Sequence, residues 1–82
     1  MVTAEFEQTF QKLFSQLKAL ALQEKLIKQI TKLTENPELG KPMRYARKGT
    51  REIYIAPFRL SYMYKKEEQK ITLLDLYHKD QQ

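Results

Sequence analysis

Residues 50–79, TREIYIAPFRLSYMYKKEEQKITLLDLYHK, read as three short strands joined by two tight turns. Side chains alternate along a strand, so Ile53 and Ile55 point one way while Glu52 and Tyr54 point the other. Ala56-Pro57 turns the chain, proline supplying the fixed φ that tight turns favour. Next, Phe58, Leu60, Tyr62 and Tyr64 form one face and Arg59, Ser61, Met63 and Lys65 the other. The run KKEEQK makes the second turn, and ITLLDLYH, residues 71–78, is the last strand.

Upstream of this meander the periodicity changes. Val2 to Phe6 reads as a short first strand. From Glu7 to near Ala19, Phe6, Phe10, Leu13, Phe14 and Leu17 keep the spacing that lines one face of a helix, with Gln8, Lys12 and Gln16 opposite. A second helix carries Leu22, Leu26, Ile30 and Leu33 on one stripe and stops at Asn36-Pro37, because proline disfavours helix in the residue before it. Both stripes read as core. Residues 36–49, NPELGKPMRYARKG, form the longest irregular segment, either a plain connector or a functional loop. The order β, α, α, β, β, β places this chain in the α+β class. A helical hairpin packs on one face of a mainly antiparallel sheet, over Ile53, Ile55, Leu60 and Tyr62, and leaves the other face wet. That open face is expected to carry Glu52, Tyr54 and Arg59, with His78 joining them.

A chain of 82 residues buries too little surface to divide its core, so residues 1–82 are expected to form one domain. Without cysteine there is no disulfide framework, thiolate zinc site or thiol nucleophile. The N-terminus has neither a basic nor an apolar leader region and no run is long and apolar enough to span a bilayer, so the expected setting is cytoplasmic, away from membranes. The net charge of +5 sits in the second half: residues 1–40 hold five lysines against five glutamates, and residues 41–82 hold ten basic residues against five acids. All four arginines lie between Arg44 and Arg59. Arginine holds phosphate in a fixed geometry through its planar fork of donors, so a polyanion site competes with a merely solvated basic face.

Charged residues are tolerated in these strands if they alternate onto one open face. What a wet face explains less well is the combination of a carboxylate, an arginine and the lone histidine beside a basic loop. Metal-free cleavage of an RNA phosphodiester requires a base for the 2′-hydroxyl proton, a cation for the phosphoryl oxygens and an acid for the leaving 5′-oxygen. Glu52, Arg59 and His78 fit those three roles, with Lys79 as substitute for the histidine. Structural alternatives stand beside them: Arg59 can pair with Glu52 or Asp75 across the sheet, and Glu52 can serve simply as partner to its basic neighbours. One histidine and no cysteine do not make an ordinary zinc site, and neither a glycine-rich phosphate loop nor a Ser/His/Asp arrangement stands out, so no metal or small-molecule cofactor is expected.

The segments LGKPMR (39–44), FRLSY (58–62) and YHK (77–79) occur in the order of a "GKPL"-like turn, a "YRLxY" strand and a terminal "HR" or "HK". In this the chain resembles the RelE/ParE toxin superfamily over nearly its whole length. The resemblance implies a toxin of a type II toxin–antitoxin pair, most typically a ribosome-dependent endoribonuclease that cuts mRNA and is held inactive by a cognate antitoxin. Arg59 matches the arginine of "YRLxY", which implies contact with the scissile phosphate, and His78 and Lys79 match the terminal pair, where relatives place the acid. One branch has basic residues on or near the positions of Glu52 and Tyr54; this chain departs from that pattern, and Glu52 as base rests on its chemistry alone. The tyrosine that many relatives have beyond this point, able to stack on a base, is absent, leaving Tyr77 or Tyr54 to replace it. Lys41, Arg44, Arg47, Lys48 and Arg51 are then expected contacts for RNA or ribosome. The alternatives are a ParE-like inhibitor of DNA gyrase, which needs no acid/base set, and a non-catalytic RNA-binding relative.

Overall fold

The computed structural model describes residues 2–78. Strand β1 (Thr3–Phe6) leads into helices α1 (Gln8–Ser15) and α2 (Leu20–Glu35), followed by a two-residue strand β2 (Lys41–Pro42) and the meander β3 (Arg51–Ile55), β4 (Phe58–Lys65) and β5 (Lys70–His78). The five strands form one sheet in the order β1-β5-β4-β3-β2. All pairings are antiparallel except β1 with β5, which is parallel. A strand lying parallel to its partner needs a crossover of helical length, and the helical hairpin is part of that crossover.

The two helices cover one face. Phe10, Leu26, Ile30 and Leu33 meet Ile55, Leu60, Tyr62, Ile71, Leu73 and Leu76 in a single buried cluster, against which Ile53, Phe58 and Tyr64 also pack. Each large apolar side chain taken fully from water contributes about 1.5–3 kcal/mol. The helical stripes were thus legible, with two departures. Phe6 begins the first stripe but stays half-exposed, and α1 stops at Ser15 rather than near Ala19. Its end is tightened by Leu17 N–H donating to the Phe14 carbonyl at 3.1 Å, and the Leu17 carbonyl is taken by Gln23 Nε2 at 2.6 Å.

The 36–49 segment is more ordered than its composition suggests. Lys41 and Pro42 pair with Glu52 and Arg51, Tyr45–Arg47 make one tight helical turn, and Gly49 at φ +98° bends the chain into β3, a conformation that glycine adopts without steric cost. At its start, Tyr62 Oη donates to the Pro37 carbonyl at 2.7 Å and accepts from Gly40 N–H at 2.8 Å. A Cβ on Gly40 would lie 2.6 Å from that same oxygen, and Tyr62 is fully buried with nowhere to retreat. Gly40→Ala is therefore expected to cost about 1–3 kcal/mol, the usual penalty of overpacking, read as a lowered urea midpoint at unchanged slope.

One irregularity in the sheet sets the positions of the site residues. Along β4 and β5, Phe58 faces His78, Arg59 faces Tyr77, Leu60 faces Leu76 and Ser61 faces Asp75; then Tyr62 faces Leu73, and Leu74 is the extra residue of a β-bulge. Strict alternation from buried Ile71 and Leu73 would have turned Asp75 and Tyr77 inward. The bulge reverses the phase, so Leu76 and His78 share the helix-covered face and Asp75 and Tyr77 share the open one. Among the described residues no helix is long and apolar enough to cross a membrane.

Candidate functional site

On the face that the helices leave open, cross-strand register gathers the chemistry. Tyr54 of β3 faces Arg59 of β4, which faces Tyr77 of β5, and Glu52 stands opposite Ser61 one pair further along the same face. The segment from Lys41 to Arg47 folds over them and closes a pocket of about 560 Å³, with Glu52, Arg59 and Tyr77 among its lining and Lys41, Arg44, Tyr45 and Arg47 on the loop side. Glu52 is only 4% exposed. A carboxylate so placed must be paired, because an isolated buried charge is strongly disfavoured. Its Oε2 accepts from Arg47 Nη1 at 2.7 Å and from Tyr77 Oη at 2.5 Å, and Arg47 Nη1 also donates to Tyr77 Oη at 2.8 Å. The Arg47 guanidinium sits 5.2 Å from the centre of the Tyr77 ring.

Two ionisations follow from these contacts. Burial first, and then the bond donated to Glu52, push the Tyr77 phenol above its ordinary range, so it keeps its proton at neutral pH. Arg47 is held charged beyond its usual value, chiefly by its bond to Tyr77, with Glu52 adding to the effect. Arg59 lies across the Tyr54 ring, its guanidinium carbon 5.8 Å from the ring centre. Its Nε is buried and finds no acceptor among the described residues. A buried donor without a partner costs about 1–3 kcal/mol and is satisfied when a ligand brings an oxygen to it.

The sequence model of the family described as the ParE toxin of type II toxin–antitoxin systems matches residues 1–82. This chain belongs to that family. It is a toxin of the RelE/ParE type, and solved toxin structures share its fold. The RelBE2 toxin–antitoxin complex from Mycobacterium tuberculosis superposes with a TM-score of 0.86 at 22% identity, over 95% of this chain and 98% of that one. The intact RelBE complex of E. coli gives 0.82 at 16% identity, over 95% and 96%. A metal-bound toxin from Helicobacter pylori gives 0.73 at 26% identity, over 98% and 97%. No curated protein sequence matches the chain.

Of the residues singled out in the sequence, the toxin brings Glu52, Arg59, Lys41, Arg44 and Arg47 to one pocket, with Tyr54 on the same open face beside Arg59. His78 is not with them: it lies on the helix-covered face, its ring edge-on to Phe58 with centres 5.9 Å apart, because the bulge has turned it there. Lys79 falls outside the described residues. Arg51 also shares the inner face, in register with Tyr62, and donates to the carbonyls of Gly40 at 2.8 Å and Glu38 at 3.2 Å, which makes it a tie for the loop that starts the site. Lys48 is exposed beyond the tight turn. Two pocket residues carried little sequence signal. Tyr77 entered only as a stacking group, since its hydrogen bonds depend on the bulge. Tyr45, 90% exposed at φ +59°, was hidden inside a segment with no periodicity.

Proposed function

We propose that this toxin is an mRNA endoribonuclease that acts without a metal on ribosome-bound message in the cytoplasm and is held in check by a cognate antitoxin. The observation that supports this most directly is the pocket itself: a buried carboxylate and a protonated phenol share a hydrogen bond beside an arginine whose Nε lacks an acceptor. Glu52 accepts the proton of the 2′-hydroxyl, whose oxygen bonds to the adjacent phosphorus. Arg59, with Arg47 and Lys41 near it, offsets the charge that grows on the phosphoryl oxygens. The bond to the 5′-oxygen breaks, and that oxygen takes the Tyr77 proton. Glu52 returns its proton to Tyr77 through their existing hydrogen bond, so the chain is regenerated and the products are a 2′,3′-cyclic phosphate and a 5′-hydroxyl. Tyr77 here takes the role that the sequence assigned to His78 or Lys79.

Tyr45 and Tyr54 offer exposed rings for bases of a single strand, and Arg44 and Lys48 offer charge to its backbone. The antitoxin segment that covers this face would be acidic and amphipathic, complementing a chain of net charge +5 and ordering as it binds. The match to the ParE toxin family keeps beside this the second reading that the resemblance implied, inhibition of DNA gyrase, in which the pocket needs no proton chemistry.

The test is inducible expression in a bacterium with mRNA ends mapped inside translated frames. Growth arrest with new in-frame 5′-hydroxyl ends is expected, and Tyr77→Phe should lower cutting about a hundredfold, the usual scale for a lost acid. Growth without new ends would sink the reading, and arrest with DNA damage signalling but no cuts would replace it with gyrase inhibition.

A further inference from the structure

We infer that Arg47 is a phosphate-exchanged latch: without RNA it clamps Glu52, and a phosphodiester entering the pocket takes it from the carboxylate. The inference rests on the reading that this pocket receives an RNA phosphodiester. Arg47 reaches in from outside, its side chain 51% exposed against 4% for Glu52. Both of its hydrogen bonds to the site use Nη1, although a guanidinium has five N–H donors in a fork that suits phosphate. Arg59 meanwhile has its Nε turned to no acceptor among the described residues. A phosphodiester offers one non-bridging oxygen to each arginine.

The exchange needs only the Arg47 side chain to rotate. Its backbone is held by Thr50, whose Oγ1 donates to the Arg47 carbonyl at 2.7 Å and whose N–H donates to the same carbonyl at 3.1 Å. Oε2 of Glu52 now accepts from both Arg47 and Tyr77, so departure of Arg47 frees a lone pair for the 2′ proton while Tyr77 keeps the carboxylate oriented. The other charged groups around the pair are Lys41 on β2, Arg44 on the loop, Arg59 on β4 and Asp75 on β5. Arg47 thus contacts the substrate phosphate itself and couples its binding to release of the base.

Competition between two anions for one cation has a thermodynamic signature. The probe is a hexanucleotide of 2′-O-methyl RNA, which carries phosphodiesters but cannot undergo 2′ attack, titrated at one fixed low salt concentration. Glu52→Gln removes the competitor and should tighten binding about tenfold, the scale of a hydrogen bond to a charged group. In an Arg47→Ala background the same change should alter affinity by less than about twofold. Equal tightening in both backgrounds would show simple through-space repulsion and overturn the latch, as would no tightening in either, or no binding by the wild type. Should Arg47→Ala lose the native circular dichroism spectrum, Arg47→Met, which keeps the apolar stem and cannot donate to Glu52, takes its place in the cycle. Coupling without mRNA cuts would keep the latch and remove the nuclease; cuts without coupling would do the reverse.

Discussion

Replacing Arg59 with alanine is expected to abolish in-frame mRNA cutting and growth arrest while the fold is retained. The side chain stands on β4 between Tyr54 and Tyr77, on the face away from the buried cluster, and its Nε has no acceptor among the described residues. Its loss therefore removes little packing and relieves one unsatisfied donor. What disappears is the cation at the phosphoryl group, and removal of such a group lowers turnover by about a thousandfold. Arg59→Lys restores the charge but not the planar fork, so cutting should return only in small part. Mapping mRNA ends for wild type and both variants at matched protein levels decides the matter. Cutting that survives in Arg59→Ala would move the phosphate site elsewhere on this face.

The second large effect concerns stability. Tyr62 is fully buried at the centre of the sheet, and its hydroxyl ties β4 to the end of α2 through Pro37 and Gly40. Tyr62→Ala should cost about 3–5 kcal/mol, as other buried aromatic deletions do. Against the roughly 5–15 kcal/mol that holds a domain together, a chain this small, near the lower end, would be left with about 0–2 kcal/mol and a substantial unfolded fraction at room temperature. Tyr62→Phe keeps the ring and leaves the Gly40 N–H and Pro37 carbonyl unmet, for about 1–3 kcal/mol. Urea midpoints separate the two. The phenol also predicts an alkaline limit. Burial raises the Tyr62 pKa above its ordinary value of 10.0, with the nearby Gly40 N–H opposing. A native pKa above the unfolded one means that the neutral phenol favours folding. That contribution is complete below the unfolded value and fades as pH rises through the native one. Tyr62→Phe should flatten this alkaline loss.

The helices and strands β1, β3, β4 and β5 were legible because each depends on short-range periodicity, whereas β2, within the irregular 36–49 segment, was not. Two amphipathic stripes fixed the helical hairpin, and alternation with a proline turn fixed the meander. The parallel partnership of β1 with β5 joins residues far apart in the chain, and nothing local announces which edge a first strand will take. Arg51 shows a different limit. By composition it belonged to the basic loop, but by register it sits opposite Tyr62 on the inner face and spends its donors on carbonyls.

For the site, the residues alone supplied the inventory: one carboxylate, one arginine of the "RLxY" type and a cluster of cations near them. Their order also put Glu52, Tyr54 and Arg59 on one face, since they lie on adjoining strands joined by a two-residue turn. The pairing of β4 with β5 settled which side chain near the end of β5 reaches them. A single extra residue, Leu74, shifts the phase of that strand, so Tyr77 enters the pocket and His78 leaves it. Side chains alternate with a period of two, and a bulge is a pairing event between strands, so its position follows from how β4 and β5 bury Tyr62, Leu73 and Leu76 together.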